Sequence, residues 1–143
     1  MSLSELEPEL DNFYVVSVVL ITGGYNGASL KSAEIFNPVT NTSCSLPLLP
    51  EGRRYHSQDG GLACGGNRKQ EDEEPLTTCV QWSPVSGSWT KSHTLREKRH
   101  AHVSWATASG VYLIGSHDSL RTSELVKSDG SVEEGFSLKY QTK

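Results

Sequence analysis

A short apolar stretch running into a glycine step occurs three times in this chain, and no other feature restricts the fold as much. Val18-Val19-Leu20-Ile21-Thr22 leads into Gly23-Gly24, Leu62-Ala63-Cys64 into Gly65-Gly66, and Val111-Tyr112-Leu113-Ile114 into Gly115-Ser116. Gly23, Gly65 and Gly115 stand 42 and then 50 residues apart. Recurrence at that spacing marks stacked repeat units, each burying its apolar face against its neighbours. The runs are too short for helices, carry no 3.6-residue period, and are bounded by Gly, Pro and Asn. They read as strands.

The residues after each step recur as well. A polar loop comes first (residues 25–31, 67–76 and 117–121). An alternating strand and a turn follow: Ala33-Glu34-Ile35-Phe36 before Asn37-Pro38, and Cys79-Val80-Gln81-Trp82 before Ser83-Pro84. The third copy, Ser123-Glu124-Leu125-Val126-Lys127, turns through Ser128-Asp129-Gly130 without proline. Proline presets φ at the second turn position, and Asn41, Gly87 or Gly130 tolerates the left-handed one. An outer strand carries Trp89, with Ser43 in its place in copy one. A loop with Arg53 or Arg99 then leads to a strand that returns through Gly60-Gly61 or Ser109-Gly110 hairpins. His56 and His102 each stand three residues after that arginine, which predicts a structural role for both. Each copy is therefore four short antiparallel strands. Copy one lacks its innermost strand, because the acidic segment 1–11 does not match residues 55–58.

The doublets Gly23-Gly24 and Gly65-Gly66, the aromatics Phe36, Trp82 and Trp89, and the segment Glu34–Asn41 resemble the kelch repeat, the four-stranded blade of a β-propeller. Arg53 and Arg99, each preceding the next blade, add to the likeness. It covers residues 15–143, with two good copies and a third that has Gly-Ser for Gly-Gly and lacks the Trp and Pro. The resemblance implies an all-β fold: a partial kelch-type propeller of about three four-stranded antiparallel blades. Residues 1–12 form an acidic extension and 13–143 the repeat region, with blades near 15–53, 54–99 and 100–143. The glycines allow close backbone approach, while Phe36, Trp82, Trp89 and Trp105 are expected to pack between sheets. Propellers close with about 4–8 blades. Three cannot surround a channel, so the chain is expected to be a piece of a longer propeller; closing by self-association through exposed terminal blades is the alternative.

Charge and motif content narrow the chemistry. Lys and Arg number 13 against 17 Asp and Glu, a net charge of −4, and no basic stretch suited to nucleic acid is visible. The apolar run Phe13–Ile21, broken by Ser17, is too short to span a membrane and follows Glu5, Glu7, Glu9 and Asp11, the wrong charge for an export signal. Cys64 and Cys79 fall on adjacent antiparallel strands, placing them either in a disulfide or as two buried thiols; Cys44 is the odd one. Asn41-Thr42-Ser43 is a glycosylation sequon on a turn. Cysteines and sequon together favour a secreted over a cytoplasmic protein. His100 and His102 with His93 lack the carboxylate or Cys-x2-Cys companions of a metal site. The acidic run Gln70–Glu74 reads as a solvated insertion, with an acidic docking loop on the propeller face as the alternative. Nucleophile, phosphate-loop and zinc-protease motifs are absent, so neither cofactor nor metal is expected.

Binding residues on a rigid scaffold sit in its loops. Tyr25, Asn26, Lys31, Arg53, Arg54 and Tyr55 are the candidates. The kelch resemblance implies a non-catalytic protein–protein interaction module, with a ubiquitin-ligase substrate arm or an actin-associated scaffold as family roles. Neither has a BTB-like helical region here to support it. Galactose oxidase, a copper enzyme on the same scaffold, draws tyrosine and histidine ligands from several blades and another domain; nothing here reproduces them. A structural repeat piece without independent function is the remaining alternative.

Overall fold

Alternation of apolar and polar residues over runs of three to seven produces strands, and tight turns leave each strand no neighbour but the next one. The computed structural model describes residues 17–68, 75–117 and 121–139. Among the described residues eleven strands form three antiparallel sheets. The first holds β1 (Val19–Thr22), β2 (Ala33–Asn37) and β3 (Thr42–Ser45). The second holds β4 (Ser57–Asp59), β5 (Leu62–Cys64), β6 (Thr78–Ser83) and β7 (Ser88–Thr94). The third holds β8 (Val103–Thr107), β9 (Gly110–Ile114), β10 (Thr122–Val126) and β11 (Val132–Ser137). Each sheet is a simple meander in chain order, and no helix occurs among the described residues. This is the all-β partial propeller that the repeats imply: two four-stranded blades and a first blade with three described strands. The acidic segment 1–12 lies outside the described residues.

Strand direction sorts the connections into two ends. Tight turns at residues 38–41, 60–61, 84–87 and 108–109 lie at one end, and the longer loops, including 23–32, 46–56 and 95–102, at the other. Gly60 and Gly61 have φ of 54° and 82°, the left-handed pair that a two-residue hairpin requires. Asn41, at φ 54°, ends the β2–β3 turn, where Asn37 Oδ1 accepts the amides of Val39 and Thr40 at 2.9 and 3.3 Å.

The strand pleat decides which blade each side chain meets. In β5, Leu62 and Cys64 point one way and Ala63 the other. Leu62, Cys64, Cys79 and Leu95 pack against Leu113 and Val126 of the third blade. Ala63 and Val80, with Trp89, pack against Leu49 from the connection leaving the first blade. A fully buried leucine such as Leu113 or Leu49 contributes about 1.5–3 kcal/mol, so the inter-blade contacts are the core. Trp82 and Trp89 face each other across β6 and β7 with ring centroids 5.4 Å apart, and Trp89 Nε1–H donates to the Pro47 carbonyl at 2.9 Å. Cys64 and Cys79 are directly paired in the β5–β6 register and form a disulfide, Cα–Cα 4.1 Å. Cys44 on β3 is exposed and unbridged.

Trp105 departs from expectation. Expected in the core, it is 58% exposed, stacked on Tyr112 at 5.9 Å. Tyr112 in turn contacts Phe136 at 5.7 Å. The cause is positional: these rings cover the far face of the third blade, which no described residue packs against. Phe36 is half-buried on the far face of the first blade, beside Val19 in the strand register.

Candidate interaction face

The glycine steps generate the loop end. Gly65 has φ 64°, and a Cβ there would collide with the Arg99 carbonyl and stand 3.0 Å from His102 Cε1. Gly23 is in the same position against Arg53 and His56. The chain that links two blades therefore lies directly on the step of the earlier one. Gly24 N–H donates to the Arg53 carbonyl and Gly66 N–H to that of Arg99, each at 2.8 Å.

The two histidines complete this seam. His56 Nε2 meets Thr22 Oγ1 at 2.9 Å, and His102 Nε2 meets Ser57 Oγ at 2.7 Å. Burial, reinforced by the charge of Arg53, lowers His56 to a pKa of about 4. Burial, with Arg99 next in importance, lowers His102 to about 4 as well. Both rings are neutral hydrogen-bonding wedges at physiological pH, which is the structural role predicted from their equivalent positions.

Arg53 requires a correction. Proposed from sequence as a surface contact, it has no exposed area. Its guanidinium donates to the Gly65 carbonyl at 2.9 Å, the Thr78 carbonyl at 2.8 Å and Thr78 Oγ1 at 2.7 Å. The backbone of Arg53 thus touches one blade and its side chain the next. Arg99 repeats the arrangement on Gly115 (3.0 Å), the Thr122 carbonyl (2.8 Å) and Thr122 Oγ1 (2.9 Å). Its Nε also donates to Glu124 at 2.7 Å. In the second blade Val80 stands where the third has Glu124, and Arg53 Nε is left without a partner.

Three other candidates come together at the surface. The Arg54 guanidinium lies 4.8 Å from the Tyr25 ring and 5.7 Å from that of Tyr55. Tyr25 is 47% and Tyr55 61% exposed. The Arg54 backbone is fixed by a reciprocal pair with Asn67, at 3.1 and 2.8 Å, and Ser29 Oγ donates to the Asn67 carbonyl at 2.9 Å. Asn26 is exposed at the tip of the loop carrying Tyr25, and Lys31 is exposed where that loop ends. Tyr55 holds φ at 54° and its repeat equivalent Ala101 at 49°. A non-glycine residue in this region costs about 1–2 kcal/mol, and here it turns the Tyr55 ring outward. The Ala101 amide donates to the Tyr55 carbonyl at 2.6 Å, linking the two.

Sequence reasoning missed the charge of this end. Lys31, Arg54, Arg68, Arg96, Lys98 and Arg121 lie in its described loops, with Glu51 and Glu97 as the carboxylates. The meander brings these described cations, distant in sequence, to one side. The acidic run Gln70–Glu74 lies outside the described residues. Among the described residues no cluster of three or more His, Cys, Asp or Glu side chains is placed to share a metal ion. Two open clefts of about 580 and 520 Å³ separate the blades at the turn end.

Known proteins match this chain in the same terms. The family described as "Kelch motif" matches residues 17–48, the span of the first sheet. The Kelch repeat and BTB domain-containing protein 1 of cowpox virus (strain GRI-90 / Grishak) is 26% identical over 106 residues, covering 69% of this chain and 19% of the relative. The proteins of the same name from vaccinia virus (strain Copenhagen) and horsepox virus match with the same figures. The chain spans about a fifth of the length of these relatives.

Proposed function

Starting from a chain that is a kelch-repeat protein, we propose that it is a non-catalytic interaction module and that the loop end of the blades is its partner-binding face. The observation that carries this reading is the Tyr25–Arg54–Tyr55 cluster. It sets an arginine between two exposed aromatic rings, on a rigid seam, with one ring held in a strained backbone conformation. The same backbone recurs at Ala101 and so belongs to the repeat; at this seam it holds an exposed aromatic ring outward. Exposed Tyr and Arg are also the residue types that dominate binding hot spots. A partner segment offering an apolar or aromatic side chain matches the cluster, because that group can lie against the exposed tyrosine rings.

The test is affinity capture by the whole chain, followed by binding measurements with whatever defined partner is recovered. Arg54→Glu and Tyr55→Ala should each weaken that binding at least tenfold, while Asp129→Lys at the turn end should leave it unchanged. Equal binding by all variants refutes the assignment of this face. A second reading, that the chain is a structural piece needing further blades, is favoured by the exposed Val103, Trp105 and Phe136 on the third blade.

A further inference from the structure

The first blade departs from the other two at the turn before its outer strand. Gly87 and Gly130 supply the left-handed residue of that turn in the second and third blades, at φ of 64° and 91°, and Asn41 supplies it in the first at 54°. A side chain at this repeat position stands in solvent: a Cβ on Gly87 or Gly130 would meet nothing within 4 Å, and Asn41 is exposed. The turn makes no use of the Asn41 amide group. Asn37 Oδ1 accepts the Val39 and Thr40 amides, and among the described residues the Asn41 side chain has no hydrogen bond. Two residues on, Ser43 places a hydroxyl where the second blade has Trp89. Asn41-Thr42-Ser43 is the single Asn-x-Ser/Thr triplet of the sequence.

The strand that this turn begins differs too. β3 is an edge of the first sheet, and its four residues are all exposed. Thr42-Ser43-Cys44-Ser45 carries no charge, whereas the outer strands β7 and β11 carry Lys91 and the pair Glu133 and Glu134. An exposed strand edge pairs with other chains unless charge, proline or a cover blocks it. The Cys64–Cys79 bridge, with its two half-cystines 1% and 0% exposed, belongs to an oxidising secretory environment. N-linked sugars are added to Asn-x-Ser/Thr triplets of secreted proteins in that same environment.

We propose that Asn41 carries an N-linked oligosaccharide, and that this glycan covers the uncharged edge β3. The donor class is a lipid-pyrophosphate-linked oligosaccharide. A bond forms between Asn41 Nδ2 and the anomeric carbon of the first sugar, and the bond from that carbon to the pyrophosphate oxygen breaks. The amide gives up one proton and the lipid pyrophosphate leaves; nothing is oxidised or reduced. The glycan stands at the turn end, opposite the loops that carry Tyr25, Arg54 and Tyr55, and its assignment does not depend on what those loops bind.

The endogenous protein, captured with an antibody raised against the chain, is treated with peptide-N-glycosidase F in heavy-oxygen water and cut with trypsin. The peptide Ser32–Arg53 should then show Asn41 converted to labelled aspartate, and recovery of that peptide wholly unlabelled overturns the proposal. Secretion of the chain behind a cleavable signal sequence from cultured animal cells tests the acceptor itself. One glycosidase-sensitive shift is expected, lost in Asn41→Gly and in Ser43→Ala and kept in Ser43→Thr; a shift that survives Asn41→Gly overturns the site. Asn41→Gly has the residue of the other two blades, so the turn is kept while the glycan is lost. By light scattering this variant should aggregate at least about threefold faster than the glycosylated chain, and adding Ser43→Lys should restore the slower rate. Equal rates for the glycosylated chain and Asn41→Gly overturn the covering of β3.

Discussion

Lowering the pH from 7.5 to 5 should destabilise this protein, and the two seam histidines set the size of the loss. An unfolded imidazole titrates near 6.5, whereas His56 and His102 titrate near 4 in the folded chain. Between those values the unfolded state binds the extra proton, so stability is fully present above about pH 6.5 and is lost as the pH falls towards 4. At pH 5 an unfolded imidazole is almost wholly protonated and a folded one about a tenth so. The difference amounts to about 2 kcal/mol per histidine, or about 4 kcal/mol for the pair. A domain of this size has about 5–15 kcal/mol in total. Urea unfolding followed by tryptophan fluorescence at pH 7.5, 6 and 5 measures the loss. His56→Gln with His102→Gln keeps a hydrogen-bonding side chain and removes the titration, so the double variant should lose less than half as much over the same interval. A wild-type stability that changes by less than about 1 kcal/mol, or a double variant with the wild-type slope, refutes the argument.

The two buried arginines should differ. Arg99→Met leaves Glu124 as an uncompensated charge that is only 2% exposed, at a cost of about 3–5 kcal/mol. Arg53→Met strands only neutral acceptors and should cost about 1–3 kcal/mol; parallel urea titrations compare them, and equal losses contradict the role given to Glu124. Reduction of Cys64–Cys79, which closes a 15-residue separation, should lower stability by about 3 kcal/mol in the chain-entropy account, read as a drop in urea midpoint on adding dithiothreitol.

Strand positions were legible because they depend on local signals. A glycine step, a proline turn and a two-residue period each act within a few residues, and the repeat supplies the same signal again. Adjacency in a meander placed Cys64 beside Cys79 but left a disulfide and two buried thiols both open; the structure has the disulfide. The face that each side chain buries was less legible, because it depends on how many blades surround it. Trp105 has the composition of a core residue and lies on the outside for want of a covering sheet. Arg53 failed for the opposite reason: a loop arginine beside a second arginine and a tyrosine reads as surface, and only the fold shows that the next blade's glycine step encloses it. The signal was present in the recurrence of Arg53 and Arg99, each ahead of a histidine, since an arginine kept at a repeat position serves the repeat. Arg54 has no such counterpart (His100 occupies its place), and it is Arg54 that stands between the exposed rings.

That distinction between recurring and non-recurring residues separates scaffold from function along the whole seam. Arg53 and Arg99, His56 and His102, and Gly23 and Gly65 occupy equivalent sites, and both arginines donate to the carbonyls and hydroxyl at the next blade's glycine step. Their energy goes into holding one blade on the next, and substitution at any of them changes stability before it changes binding. Tyr25, Arg54 and Tyr55 share the same loops but have no equivalents in the other seam, where Asn67, His100 and Ala101 take their places. Only the left-handed backbone at Tyr55 and Ala101 is common to both. The repeat therefore fixes a strained outward-facing position at each seam, and the residue placed there determines what the seam presents. Tyr55 presents an aromatic ring beside a cation, Ala101 a methyl group. A partner that distinguishes the two seams must do so through these side chains, because the backbone beneath them is the same.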